Sequence, residues 1–330
     1  MHDLGGRWAW SGLLLLCGVG LLAPPGAAVV PFLPVTAPLL FAGDASLGTG
    51  CTPNRAGLIL SGCGTVEDPY VLENIEIVFT ELLTPALEFR DTTKHVLVRN
   101  VFIHDVPYLG IVINGDNVTL ESVVVARGKS GGIVVGFAHM VTNTEIRESI
   151  VRESVAAGVS LYQARDFELR DSLVEANSDG INIGSATAPI TIKNNDVSDN
   201  RRNGIYIHNC CFDVNSNPIL IADNTIGGNA MFGLRSKDSV SLTFNGNNIE
   251  GNAQGGLQVD DSSPVVATNN WWGAASGPSG AGPGTGQAIS LINGGTASWD
   301  PWLGVPSAAA GPSQSLCEFV VHAYECLVEA

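Results

Sequence analysis

Tyr162, Asn182, Tyr206, His208, Arg235, Lys237, Gln258 and Asp260 stand at the second or fourth place after a glycine, and together they supply groups that hold sugars. Aromatic rings offer a flat face, amides donate and accept, and cations orient an anionic or hydroxyl-rich ligand. Acid–base cleavage of a glycosidic bond needs two carboxylates at a set separation. The candidate acids are Asp179, just before Gly180, and Asp260, and neither has an obvious partner in the sequence. Asp179 reads more readily as a corner aspartate that accepts backbone hydrogen bonds ahead of Gly180 than as a catalytic acid. The pattern therefore points to binding rather than turnover, with an ordinary solvated sheet face as the bland alternative.

His208, Cys210, Cys211 and Asp213 lie within six residues and bring together ligands suited to a borderline metal. Adjacent cysteines fit poorly around one tetrahedral ion, and in an exported chain they tend to be oxidised. The sequence calls for no cofactor, although its acidic balance is compatible with Ca2+.

Positioning such groups requires a repeated frame, and one is visible. Glycine followed by apolar, variable and apolar residues recurs at Gly110, Gly132, Gly158, Gly180, Gly204, Gly233 and Gly256, with gaps of 22, 26, 22, 24, 29 and 23 residues. A period in that range means stacked units, none able to bury its apolar face alone. The leading glycine suits a corner whose backbone conformation is closed to residues with Cβ. Each unit holds two further strand-length phrases, such as Ile190-Thr191-Ile192, and then a polar residue two before an apolar one, such as Asp171/Leu173, Asn195/Val197 and Asn269/Trp271. Three short strands per coil predict an all-β parallel β-helix solenoid. Asn177, Asn200, Asn229 and Asn252 would stack as a structural ladder along its axis. The variable residues would then line up in two outward columns, plain in the first half and richly functional from Ser160 onward.

Asp and Glu outnumber Lys and Arg by 32 to 16 and no basic cluster appears, which argues against a nucleic-acid partner. The run Trp8–Leu22 behind Arg7, followed by small residues and prolines, has the layout of a secretory signal over residues 1–28. If uncleaved, it would be the chain's one membrane attachment. Residues 29–50 read as a Pro/Gly/Ala-rich lead-in, 51–303 as the solenoid and 304–316 as a linker. In the segment 317–330, Phe319, Val320, Ala323 and Leu327 join Leu316 at helical spacing, predicting a short amphipathic helix over the open end of the last coil. Export and the even count of six cysteines beyond residue 28 suggest the short-range pairs Cys51–Cys63 and Cys317–Cys326.

Two further phrases carry a resemblance. Gly62-Cys63-Gly64-Thr65-Val66-Glu67-Asp68-Pro69-Tyr70 resembles the opening of right-handed parallel β-helix proteins of the NosD-like, pectin lyase superfold group. Asn269-Asn270-Trp271-Trp272-Gly273, Ser276-Gly277-Pro278 and Pro301-Trp302-Leu303 resemble its closing signature. The resemblance spans about residues 62 to 303 and implies the right-handed fold. It implies no single function, because sites are grafted onto folds. Trp271, Trp272, Trp299 and Trp302 are expected to close the last coil.

Asn177-Ser178-Asp179-Gly180 resembles a polygalacturonase phrase but lacks the companion motifs, and the D-P-H phrase of mannuronan epimerases is absent from the groove positions. The expected function is thus an exported surface or extracellular module that binds a polysaccharide or another cell-surface component, or is structural. A polysaccharide lyase, hydrolase or epimerase on the same face is one alternative. A metal-handling accessory protein of NosD type is the other.

Overall fold

The computed structural model describes residues 32–54, 58, 60–80, 83–187, 189–210, 219–239, 242–261 and 264–312. The signal segment, Cys211, Asp213, Cys317, Cys326 and the helix expected near the C-terminus lie outside them. The chain is an all-β, right-handed parallel solenoid. A typical coil runs through strands Ala164–Arg170, Leu173–Glu175 and Ile181–Gly184, and the next repeats them at Ile190–Lys193, Asp196–Ser198 and Ile205–Cys210. The third strands, led by glycine, stack into an eleven-stranded sheet. First and second strands share a seventeen-stranded sheet, since in Val96–His104 and Val118–Ala126 they form one bent strand.

Ile111, Ile133, Val159, Ile181, Ile205, Leu234 and Leu257 are paired row on row and fully buried. The register read from the glycine phrase is therefore the observed one. The physical role of the leading glycine differs from expectation: it needs no special φ. A Cβ on Gly180 would lie 2.6 Å from Gly204 O and 2.7 Å from Asn200 Nδ2, so close stacking of adjacent coils excludes any side chain there. Left-handed corners fall instead on polar residues between first and second strands, including Asn100 (φ 50°), Asp171 (φ 50°), Asn194 (φ 56°) and Asp223 (φ 55°). Asn and Asp tolerate that conformation best among residues with a side chain.

The third phrase needs a one-residue correction in part of the chain. The buried polar column is Ser149, Ser172, Asn195, Asn224, Asn247 and Asn270, with the core positions at Val151, Val174, Val197, Ile226, Ile249 and Trp272. Each polar side chain accepts the backbone N–H of the residue one coil earlier, from Ser172 Oγ taking Ser149 N at 3.1 Å to Asn270 Oδ1 taking Asn247 N at 2.9 Å. A second ladder links Ser154, Asn177, Asn200, Asn229 and Asn252 in the same way, at 2.9 to 3.2 Å. Both columns satisfy corner backbone groups that would otherwise be buried unpaired.

Residues 33–42, read as lead-in, contribute Leu33–Val35 and Leu39–Ala42, which pair in parallel with Ile75–Ile77 and Leu87–Arg90. A one-turn helix, Asp44–Leu47, closes this end with Leu47 fully buried. Asp44 clamps it to the first corners, accepting Thr93 N at 2.6 Å and Lys94 N at 3.2 Å. The Cys51–Cys63 disulfide is formed beside it. At the other end Trp272 is fully buried edge-on to Phe244, and Trp299 and Trp302 pack on the core. Trp271 instead turns outward, bridged to Asn248 of the preceding coil.

Candidate functional site

The outward columns of the Gly-led sheet exist as predicted from Val112 onward and extend further in both directions. One runs Glu88, Val112, Val134, Ser160, Asn182, Tyr206, Arg235, Gln258 and Ser290. In the other, Gly184, His208, Lys237, Asp260 and Ile292 are registered, with Arg90 and Asn114 paired at the N-terminal end. The N-terminal half covers itself: Val112 and Val134 are buried with Leu109, and Tyr108 packs on them. The chemically rich half is where side chains stay half-exposed.

There, four successive coils contribute to one cluster. Tyr206 and His208 stack with ring centroids 4.8 Å apart, and the Arg235 guanidinium lies 5.4 Å from the centre of the Tyr206 ring. Cation–π and stacking contacts of this kind hold a planar surface in place. His208 Nε2 is 3.0 Å from Asn182 Oδ1; a carbonyl oxygen can only accept, so Nε2 carries the proton and the neutral ring keeps its Nδ1 lone pair. Burial lowers the His208 pKa and the Lys237 charge lowers it further, against an opposing pull from Asp179. The imidazole is thus neutral at pH 7.

Gly184 makes this arrangement possible, and sequence reasoning missed it. A Cβ there would come within 2.9 Å of His208 Cε1, so the ring lies across the neighbouring coil in space that only glycine leaves. The periodic glycine phrase masks such a residue, since it sits at a position where other coils carry side chains.

Asp260 holds the far side of the cluster. Its Oδ1 accepts Asn293 Nδ2 at 2.7 Å, and Oδ2 lies 3.6 Å from Arg235 Nη2. Asn293, also missed, directly follows Ile292 at the end of the last strand of the Gly-led sheet. Lys237 stands beside His208 one coil on, 3.9 Å from Asp238, and Gln258 extends the first column. Tyr162 stands apart: it lies near the Gly184 level, edge-to-face with Phe137 at 6.0 Å, and does not touch Tyr206.

Asp179 is committed to the corner. Its Oδ1 accepts both the backbone N–H (3.0 Å) and the Nδ2 (2.8 Å) of Asn203, and Oδ2 is 3.7 Å from Arg202. The metal set dissolves at its centre, because Cys210 is in a disulfide and offers no thiolate. Among the described residues one other group has ligand spacing, Cys51, Cys63 and Asp68, and its two sulfurs are bonded to each other.

A second cluster lies outside the columns. On the outer side of the second strands, Arg152 pairs with Glu153 at 2.6 Å and lies 3.5 Å from Glu175, with Asp196 on the next coil. Burial pushes Glu175 up to about 7, against the pull of Arg152, and Asp196 up to about 6. The outer side of the first strands carries a solvated ion ladder, in which Glu73 holds Arg99 and Arg147 joins Glu121 to Glu145. Pairs that stay partly open to solvent, like these, contribute little each.

The family model of the right handed β-helix region matches residues 86–271 and 209–298, well over half of the chain. The chain belongs to the right-handed β-helix family. No curated protein matches it significantly in sequence. Among solved structures, this β-helix resembles the enzymatically active domain of bacteriophage CBA120 tailspike protein 2, with 12% identity and a TM-score of 0.57 over 82% of this chain and 42% of that one. Pectate lyase Pel9A matches with 13% identity and a TM-score of 0.46 over 73% of each chain. The periplasmic alginate epimerase AlgG matches with 18% identity and a TM-score of 0.41 over 67% of this chain and 50% of that one. The chain spans half or less of the tailspike domain and of AlgG, and at these identities the likeness concerns the fold.

Proposed function

We propose that the protein is an exported β-helix module that binds an acidic polysaccharide along the C-terminal half of its Gly-led face. The observation that carries this reading is the Asn182–His208–Tyr206–Arg235–Asp260 cluster, drawn from successive coils and prearranged by stacking and hydrogen bonds. Tyr206 supplies an aromatic face, while Arg235 and Lys237 supply cations on adjacent columns for carboxylate groups. Export is supported by the N-terminal layout and by the Cys51–Cys63 disulfide, which persists in oxidising compartments. In this reading the face orients a chain without cleaving it, since both candidate acids are engaged, Asp260 by Asn293 and Arg235 and Asp179 by Asn203 and Arg202.

A second reading has one specific observation in its favour. A neutral His208 beside Arg235 and Lys237 could withdraw the proton next to a uronate carboxylate that the cations neutralise, which is the chemistry of elimination or epimerisation. The deciding experiment incubates the purified protein with polyuronates of known sequence, measuring binding by calorimetry and turnover by unsaturated products and by exchange of ring protons in heavy water. Binding without either change supports the module. Turnover that His208→Ala abolishes replaces it with the enzyme, and neither binding nor turnover removes the polyuronate from both readings.

A further inference from the structure

The outer side of the second strands is too well buried for a solenoid face. Phe102, Val124, Ile150 and Leu173 stack in one column, point away from the coil interior and belong to no part of the solenoid core, yet each is only 1 to 3% exposed. Their neighbours along the strands, such as Val125, Val151 and Val174, face inward and fill the core. Among the described residues Phe32 approaches the N-terminal end of this stripe, with its ring 6.5 Å from that of Phe102. The remainder needs a cover from elsewhere in the chain.

The path of the chain after the last coil says which part supplies it. Having closed the end with Trp302, the chain does not leave the solenoid but turns back along this same face. Ser307 exchanges two hydrogen bonds with the Asn248 side chain, at 2.9 and 2.7 Å. One coil earlier, Gly311 donates its N–H to Asp223 O at 2.9 Å, beside Thr225. Asn248, Thr225, Asp196, Leu173, Ile150, Val124 and Phe102 are successive members of the column, so the chain is heading up the stripe when it reaches residue 312.

We infer that the C-terminal segment 313–330 docks as an amphipathic strap along the stripe Leu173–Ile150–Val124–Phe102, sealing the side of the solenoid rather than its open end. Its sequence carries Leu316, Phe319, Val320, Ala323 and Leu327 at helical spacing. Eighteen residues make a helix of about 27 Å, in which Cys317 and Cys326 stand about 13.5 Å apart, so this strap excludes the Cys317–Cys326 pairing suggested by the sequence. Four coil steps, from Asp196 to Phe102, amount to about 19 Å at the usual strand spacing. Length, direction and apolar periodicity therefore agree on one occupant, in place of a cap over the last coil.

The test uses the full chain with a photo-crosslinking benzoylphenylalanine in place of Phe319. Peptide mapping should find crosslinks within the same molecule, to the peptides that contain Val124, Ile150 or Leu173. Crosslinks to residues 1–31, to the Gly-led face or to a second copy, or none at all, would overturn the inference. Phe319→Asp gives an independent readout that leaves every coil residue intact. Limited proteolysis after residue 312 should become about tenfold faster, the factor given by a docking loss of about 1.4 kcal/mol, and binding of an apolar dye should rise several-fold. Unchanged proteolysis and dye binding would equally overturn it.

Discussion

Gly184 separates the architecture of the site from its chemistry. It has ordinary backbone torsions, so Gly184→Ala strains no backbone, yet the new methyl group would meet the His208 ring at 2.9 Å. The ring can swing outward at modest cost, breaking its bond to Asn182 and its stack on Tyr206. Thermal stability should stay within about 0.5 kcal/mol of wild type, whereas polyuronate binding should weaken by about 1 to 2 kcal/mol. Calorimetry on the folded variant checks both, and unchanged affinity would remove His208 from the binding surface. Tyr206→Ala should cost more, about 1 to 3 kcal/mol of binding, because it removes the stacking face for His208, for Arg235 and for the ligand.

Glu175 gives a prediction in pH at the same scale. Its pKa rises from 4.5 to about 7 because burial disfavours the charged form. The unfolded chain then loses its proton before the folded one does, so stability is full below about pH 4.5 and falls as the pH rises toward 7. The loss attributable to this residue is about 3 kcal/mol. Asp196, raised from 3.8 to about 6, adds a fall over the lower part of that range. Denaturant melts of Glu175→Gln should therefore lack the decline that wild type shows between about pH 6 and 7, a window in which the lowered pKa of His208 makes both proteins gain a little stability, and should keep the slope below pH 6 that belongs to Asp196. A parallel decline in both proteins would mean that Glu175 is solvated in the folded state.

Among the elements, the two buried polar ladders matter more to stability than the exposed charges. Asn224 accepts the N–H and Nδ2 of Asn195 and donates to Ile192 O, Ala222 O and Asn247 Oδ1, all buried. Asn224→Ala leaves several of those groups without partners and should destabilise the fold by about 3 to 5 kcal/mol. Arg99→Ala, which removes an exposed pair with Glu73, should cost about 0 to 1 kcal/mol. Equal losses in denaturant melts would show that the ladder is wet. The ladders also explain what the sequence made legible. Asn200, Asn229 and Asn252 were readable because they lie four residues before a glycine whose strand alternates cleanly between core and surface, and Asn177 because it lies three before its own. The second strands were misread by one residue at Asp171/Leu173 because Leu173 and Val174 are both buried. Period-two alternation cannot choose a register when both faces are covered. The cause of the error is thus the stripe itself, whose cover comes from a part of the chain distant in sequence. In the site, Asn182, Tyr206, His208, Arg235 and Asp260 were legible through the same clean alternation. Asn293 and the loss of Cys210 as a ligand were not, since each depends on contacts beyond the repeat.

For the whole molecule, the solenoid is nearly one-dimensional, because its coils pair strand by strand with their neighbours and stability is then close to a sum of local terms. The position of a lesion should then decide how far it spreads. The Cys51–Cys63 bond spans 12 residues beside the N-terminal closing helix, and restricting a loop of that size in the unfolded chain stabilises by about 3 kcal/mol. Replacing both cysteines with serine should loosen the first coils, where Asp44 is bound to Thr93 and Lys94, while leaving the central coils intact. Ile181→Asp acts differently. It places a charge with no partner in the fully buried row between Val159 and Ile205, at a cost of several kcal/mol, and both neighbouring coils depend on that row. Hydrogen exchange resolved by peptide distinguishes the two outcomes. The double serine protein should lose protection up to about Arg99 and keep it from Val118 onward, whereas Ile181→Asp should lose it on both sides of the substitution. Loss of protection along the entire chain in the serine variant would mean that the coils unfold as a single cooperative unit, and an Ile181→Asp protein with unchanged exchange would overturn the register of the Gly-led sheet.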